Sequence, residues 1–211
     1  MNKHHIPLVA DNYYHLFNRA IGREKLFISD ENYRYFLQKM VLHVLPVADL
    51  FAYSLMPNHF HLLIRIKPHK NLAAHFKLKK ARLFIPEKHN MADFIMERIS
   101  NWLNAYTKAF NKVYNRKGSL FIDYTKRSEA RSEADITSFI LYIHQNAVHH
   151  GLNKSIGRWP NDSYQNIIGR QPTYLMRDEV VAWFGSKRLF EAFHNQHVNL
   201  RKYDSYLRHE R

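Results

Sequence analysis

The stretch Tyr53-Ser54-Leu55-Met56-Pro57-Asn58-His59-Phe60-His61-Leu62-Leu63-Ile64 says most about the fold. Apolar runs over residues 50–55 and 60–66 flank a Met-Pro-Asn turn signal, which predicts two strands joined by a turn. Because side chains alternate on a strand, His59 and His61 should project from one face and Phe60 and Leu62 from the other. Two imidazoles on one face, at the open end of a buried strand, can share a divalent ion.

Outward from these strands, the periodicity predicts one earlier strand and several helices. Residues 12–18 are typical of a strand, and Ser29 is a helix N-cap followed by Asp30 and Glu31. Apolar spacing predicts further helices over residues 72–83, 93–113, 135–148, 178–184 and 187–197. This order indicates an α+β fold, an antiparallel sheet with helices packed on it. A helical C-terminal extension should begin between residues 125 and 150.

Composition narrows the classes of function. The 211 residues include 32 Lys and Arg against 18 Asp and Glu, a net charge of +14, which points to a nucleic-acid partner. The 45% hydrophobic and 14% aromatic content excludes a disordered basic tail. The absence of Cys excludes a disulfide scaffold, a thiol nucleophile and Cys-ligated metal sites. Without a signal-peptide pattern or a long apolar run, we expect a cytoplasmic protein that does not bind membranes.

Basic residues form two clusters that could neutralise a DNA backbone. The candidate DNA-binding residues are Lys77, Lys79, Lys80 and Arg82 in one predicted helix, and Arg116, Lys117 and Lys126 after the next. Phe121 and Tyr124 lie between members of the second cluster and could stack on unpaired bases. For any single lysine, the competing interpretation is an ordinary solvated surface. The adjacent His149 and His150 point in different directions on a helix, so we interpret them as surface or DNA-facing residues.

The central stretch also carries a family resemblance. Met56-Pro57-Asn58-His59-Phe60-His61-Leu62-Leu63 resembles the His-hydrophobe-His signature of single-tyrosine HUH transposases, and most resembles that of the REP-associated tyrosine transposases. Segments at residues 14–20, 106–111, 118–121 and 142–147 are similar to other family motifs in the same order. Ala147 stands where the family usually has Pro. The resemblance covers roughly residues 10–165.

The resemblance implies an HUH endonuclease domain with a ferredoxin-like, RRM-like core over residues 1–130 and a helical extension over residues 131–211. It implies a metal-dependent endonuclease and strand transferase that acts on single-stranded DNA through a 5′-phosphotyrosine intermediate. Tyr106 would be the nucleophile, and His59 and His61 would bind Mg²⁺ or Mn²⁺. The family's third ligand lies on the helix of the tyrosine, where Phe110 cannot ligate and Asn111 is the next candidate. The expected partner is hairpin-containing DNA in the nucleoid, bound by a monomer or homodimer.

Alternatives remain open for both the nucleophile and the function. Tyr106 also lies in the apolar stripe of its helix, so a core aromatic is the competing interpretation, and Tyr114 is the next nucleophile to consider. Tyr142 is expected to contact DNA or to pack. A catalytically inactive DNA- or RNA-binding module on the same fold is the alternative function. A His-ligated metallohydrolase is disfavoured, because one His-x-His pair lacks an obvious third strong ligand.

Overall fold

The computed structural model describes residues 6–195. Its strands are β1 (Tyr13–Arg19), β2 (Ala48–Met56), β3 (His59–Ile66) and β4 (Lys126–Ala130). Its helices are α1 (Asp30–His43), α2 (His69–Lys80), α3 (Met91–Val113), α4 (Glu133–His149), α5 (Tyr164–Ile168), α6 (Arg177–Trp183) and α7 (Lys187–His194). The strands form one antiparallel sheet in the order β2-β3-β1-β4. The predicted α+β class is confirmed. Apart from the additional helix α2, the order β1-α1-β2-β3-α3-β4 is that of a ferredoxin-like core.

The β2–β3 hairpin forms where the sequence predicts it, with Met56 paired to His59 across a two-residue turn. The chain that follows β1 holds this turn in place. The backbone N–H of Ala20 donates to the Asn58 carbonyl at 2.7 Å, and that of Leu26 donates to the Pro57 carbonyl at 2.7 Å. These bonds set the position at which the first histidine enters the sheet.

Side-chain caps explain where the long helices begin. The Asn90 side chain accepts the backbone N–H of Ala92 at 2.9 Å, and the Ser132 side chain accepts that of Asp135 at 3.1 Å. Both bonds satisfy amide groups that have no partner within the helix. The caps place the starts of α3 and α4, and therefore set which residues of each helix face the sheet.

Different helices cover the two faces of the sheet. On one face, the ring of Phe60 packs 5.2 Å from that of Phe36 on α1 and 5.1 Å from that of Trp102 on α3. The opposite face carries His59 and His61, and α4 lies across it. Helices α1 and α3 therefore build the main core, whereas α4 closes the face that bears the histidines.

Segments beyond α4 cover the outer edge of β2. The backbone N–H of Ser163 donates to the Tyr53 carbonyl at 2.9 Å, and that of Met176 donates to the Leu50 carbonyl at 2.8 Å. Arg65 on β3 forms ion pairs with Asp49 on β2 and with a carboxylate of α6, each at 2.9 Å. Edge strands expose unpaired backbone groups, and the two backbone bonds give the Tyr53 and Leu50 carbonyls of β2 their partners.

Two observed elements were not predicted, and one predicted helix extends past the residues that the structure describes. β4 has the sequence Lys-Arg-Ser-Glu-Ala, which lacks apolar alternation, and it is a strand because it pairs with β1. The short α5 lies where an irregular segment was expected. The helix predicted over residues 187–197 is observed as α7, and residues 196 and 197 lie outside the described part. No helix within residues 6–195 is long and apolar enough to cross a membrane.

Candidate active site

The two histidines of β3 share one face, as the alternation predicts. Their ring centroids lie 5.2 Å apart, and the rings are nearly perpendicular. The expectation of an open strand end is wrong, because α4 packs over this face. His59 is 5% exposed and His61 is 1% exposed. The pair therefore lies in a covered cleft, and the residues of α4 above it become part of the site.

The contacts of His59 fit a bound cation. Its Nδ1 lies 2.7 Å from Asn58 Oδ1, and its Nε2 lies 2.9 Å from Asn146 Oδ1. A neutral imidazole has one N–H. If Nδ1–H donates to Asn58, the lone pair of Nε2 and the amide oxygen of Asn146 face each other. Adjacent ligands of an octahedral cation with bonds of 2.1 Å lie about 3.0 Å apart, so this pair of atoms has the spacing of two metal ligands.

His61 is oriented by a third histidine. Its Nδ1 lies 2.8 Å from Nε2 of His15, a fully buried residue of β1. The His15 ring packs against aromatic rings, at 4.9 Å from Phe17 and 5.0 Å from Phe139. If His61 Nδ1–H donates to His15, then Nε2 of His61 keeps its lone pair for a cation. Metal-binding histidines commonly donate their second ring nitrogen in this way.

Tyr142 on α4 is the tyrosine that meets the histidines. Its ring is edge-on to His61 at 5.4 Å and to His15 at 5.5 Å. Asn146 follows one helical turn later, so both side chains project from α4 toward β3. The sequence predicts DNA contact or packing for Tyr142, and it places Asn146 in a family-like segment without a role in the site. The Tyr-x-x-x-Asn spacing of a phenol and an amide on one helical face was the signal that could have identified them.

A small cavity of about 10 Å³ lies beside the histidines, which is space for about one water molecule. Lys126 and Arg19 line it together with His59 and His61. Of the predicted DNA-binding residues, Lys126 is thus brought to the histidines. The exposed His150 contributes a further basic group, with its ring 4.7 Å from that of His59. Cationic side chains around such a pocket favour an anionic ligand such as a phosphate group.

Tyr106, the predicted nucleophile, lies on the opposite side of the sheet from the histidines. It is 1% exposed, its hydroxyl donates to the Leu26 carbonyl, and its ring packs 4.9 Å from that of Phe36. Burial raises the pKa of Tyr106 far above its usual value of 10, which disfavours the phenolate. A nucleophile must lie beside the histidines, and Tyr106 does not. The structure instead supports the competing interpretation of a core aromatic.

Asn111, the predicted third ligand, is held away from the histidines at the end of α3. Its amide nitrogen donates to the Gly118 carbonyl at 2.9 Å, and its oxygen accepts from Arg116 at 3.0 Å. Both polar groups thus stabilise the turn that follows the helix. Asn146, and not Asn111, has an amide oxygen beside His59.

The other predicted DNA-binding residues divide into paired and exposed groups. Lys80 forms an ion pair with Glu97 at 2.7 Å, and Arg116 forms one with Glu24 at 2.5 Å, so both have protein partners. The remaining residues are exposed on the surface, namely Lys77, Lys79, Arg82 and Lys117. Exposed cations are available for long-range attraction of a polyanion, but their positions do not identify a binding face.

The donor set defines which ions the centre could hold. Within residues 6–195, no three His, Cys, Asp or Glu side chains are grouped so that they could hold a metal ion. The candidate set is therefore two imidazoles and the Asn146 amide, all of them neutral. Imidazole suits transition ions, whereas Mg²⁺ prefers oxygen ligands and water. Of the two ions expected, Mn²⁺ matches this mixed set better.

Comparison with known proteins identifies a solved structure with a similar fold. No family model matches the chain, and no curated protein matches it. A solved structure of a REP-associated tyrosine transposase bound to a REP hairpin is similar, with a TM-score of 0.59 and 13% sequence identity over 82% of this chain and 89% of that one. At this identity the likeness is one of fold. The chain thus has an α+β fold like that of the transposase, with helices packed on a four-stranded antiparallel sheet.

Proposed function

We propose that the protein is a metal-dependent, single-stranded DNA endonuclease and strand transferase that uses Tyr142 as its nucleophile. The observation that carries this proposal is the convergence of Tyr142 and Asn146, one turn apart on α4, on the histidines of β3. The similarity of fold to a transposase bound to a DNA hairpin supports DNA as the partner. The net charge of +14 supports it independently.

His59, His61 and Asn146 would hold the ion, Mn²⁺ or Mg²⁺. When bound, the ion supplies Lewis-acid stabilisation of the charge on the phosphate oxygens. Asn58 and His15 would accept the second ring protons of the two histidines and so keep the ligand nitrogens deprotonated. Lys126 and Arg19, which line the pocket, would contact the phosphodiester.

The Tyr142 oxygen would attack the scissile phosphate. A bond forms between this oxygen and phosphorus, and the bond from phosphorus to O3′ breaks. The phenol loses its proton, and O3′ gains one. The products are a 5′-phosphotyrosine linkage and a free 3′-hydroxyl group. Because one phosphodiester replaces another, a second 3′-hydroxyl can reverse the step without ATP, with the phenolate as the leaving group.

A matched pair of variants tests the nucleophile. Tyr142→Phe and Tyr106→Phe each remove one oxygen from a tyrosine that is 1% exposed, on opposite faces of the sheet. Labelled single-stranded DNA from the flanks of the gene is incubated with Mn²⁺ and resolved on a denaturing gel. We expect no covalent adduct from Tyr142→Phe and retained adduct from Tyr106→Phe. The reverse pattern would reject Tyr142 and identify Tyr106 as the nucleophile.

A non-catalytic DNA- or RNA-binding module is the second candidate. The burial of Tyr142 and His61, each 1% exposed, favours it, because a nucleophile and a metal ligand must both reach the substrate. This module would bind single strands without adduct formation, and binding would be insensitive to EDTA. Cleavage that requires His59 but survives Tyr142→Phe would indicate a metal-activated water, and thus a hydrolase.

A further inference from the structure

A larger groove runs along α3 beside the candidate active site. It lies between α3 and the segment over residues 118–125, and its volume is about 630 Å³. Asn18 and Ile122 line both this groove and the histidine pocket. The two cavities are therefore neighbours. A DNA strand with one phosphate at the histidines could reach this groove by passing Asn18 and Ile122.

One wall of the groove is a polar stripe on α3. Its members recur at intervals of three or four residues, so they share a helical face. They are Ser100, Asn104, Thr107 and Lys108; Asn111 also lines the groove, but its amide group is bonded to Gly118 and Arg116. Hydroxyl and amide groups both donate and accept hydrogen bonds, which suits the edges of unpaired bases. Lys108 is exposed and can contact a phosphate.

Tyr124 stands at the rim of the groove on the opposite segment. It is 73% exposed, and its backbone has a φ of 63°, a conformation that is uncommon for an aromatic residue. Asn18 holds the segment in place, because its amide nitrogen lies 3.3 Å from both the Ile122 carbonyl and the Thr125 hydroxyl. The fold thus presents a flat aromatic ring to solvent on an anchored segment, as stacking platforms for bases require.

We infer that this groove binds unpaired nucleobases adjacent to the scissile phosphate, with Tyr124 stacked on one base and the α3 stripe contacting base edges. The inference rests on the proposed function and adds to it a site for the bases. A nucleic acid is favoured over a peptide because the groove borders the candidate phosphate site and has Lys108 and nearby Lys126. Asp123 is the carboxylate among its lining residues.

Equilibrium DNA binding tests this groove without depending on DNA cleavage. The probe is a fluorescent DNA hairpin with a single-stranded flank that contains 2-aminopurine, and the protein carries Tyr142→Phe and no metal. Tyr124→Ala is expected to weaken binding about fivefold to a hundredfold, the effect of losing one base–aromatic stack. It should also abolish the quenching of 2-aminopurine. Tyr124→Phe should retain both properties. The matched control is Tyr174→Ala, since Tyr174 is 69% exposed and lines a different pocket.

Each outcome has a definite meaning. Equal affinities for the Tyr124→Ala variant and its parent overturn the base-binding groove and leave the proposed function intact. Binding that depends on the hairpin duplex but not on its single-stranded flank also overturns it. If the parent has no affinity for single-stranded DNA, the proposed function itself fails. Thermal unfolding shows whether both tyrosine variants fold like the parent.

Discussion

At the scale of single residues, the site depends on which ring nitrogen of each histidine carries the proton. His59 can present Nε2 as a ligand only if Nδ1 holds the proton, and Asn58 accepts from that atom. His15 would have the corresponding role for His61. With a cation bound between His59 Nε2 and Asn146, these neighbours would hold the tautomer that leaves both ligand nitrogens with a lone pair.

His15→Phe tests the orienting role. The variant keeps an aromatic ring against Phe17 and Phe139 but removes the nitrogen that contacts His61. Mn²⁺ affinity, followed by electron paramagnetic resonance, should fall about tenfold to a hundredfold. His15→Gln restores an acceptor and should recover part of the affinity. Nitrogen-15 spectra of the metal-free protein report the His61 tautomer directly. An unchanged tautomer and affinity in His15→Phe would reject this role.

Tyr106→Phe is expected to reduce the stability of the fold and to leave DNA cleavage intact. The hydroxyl donates to the carbonyl of the buried Leu26, and its removal leaves that oxygen without this donor. The free energy of unfolding should fall by about 1–3 kcal/mol, measured in urea. DNA cleavage by the folded variant should persist. Loss of cleavage with unchanged stability would contradict the assignment of Tyr106 to the core.

At the scale of elements, a buried hydrogen-bond chain anchors α4. The Ser163 hydroxyl lies 2.8 Å from His144 Nε2, and His144 Nδ1 lies 2.9 Å from His194 Nε2 on α7. His144 lies between Tyr142 and Asn146 along the helix. The chain of contacts therefore joins α4 to the N-terminus of α5 and to α7, and it fixes the helix that carries the proposed nucleophile.

Asp162, next to this chain, should make stability depend on pH. Burial raises its pKa to about 7, from about 3.9 in an unfolded chain. Between these values the folded state holds the proton more tightly, so stability falls as pH rises from 4 to 7. Asp162→Asn removes this dependence and keeps the acceptor for the Tyr164 N–H. Its unfolding free energy relative to the parent should increase by on the order of 1–4 kcal/mol between pH 4 and 8. Equal pH profiles in urea unfolding would refute the assignment.

At the scale of the whole molecule, the net charge of +14 predicts DNA binding that weakens steeply with salt. The log–log slope should be about −0.7 for each phosphate neutralised on a single strand. Most surface cations would contribute only to non-specific attraction. The cations beside the histidines and the α3 groove should contribute to the slope individually.

Lys108→Gln and Lys126→Gln test this localisation. Each should make the slope shallower by about 0.7, because each is expected to contact one phosphate. Lys112→Gln is the matched control, since Lys112 is an exposed residue of α3 that does not line the groove. Titrations at four salt concentrations give the slopes. A result in which all three variants shift the slope equally would assign binding to the overall charge and not to this face.

The sequence by itself determined the features that depend on near neighbours. Alternation placed His59 and His61 on one face, turn residues predicted the hairpin, an N-cap predicted the start of α1, and apolar spacing predicted α3. Only the tertiary structure decided which tyrosine meets the histidines. Tyr106 and Tyr142 both lie among apolar residues of long helices, so local pattern does not distinguish them. The distinction depends on which face of the sheet each helix covers. Asn146 and His59 meet across 87 residues of sequence. That contact exists because α1 and α3 fill one face and leave the histidine face to α4.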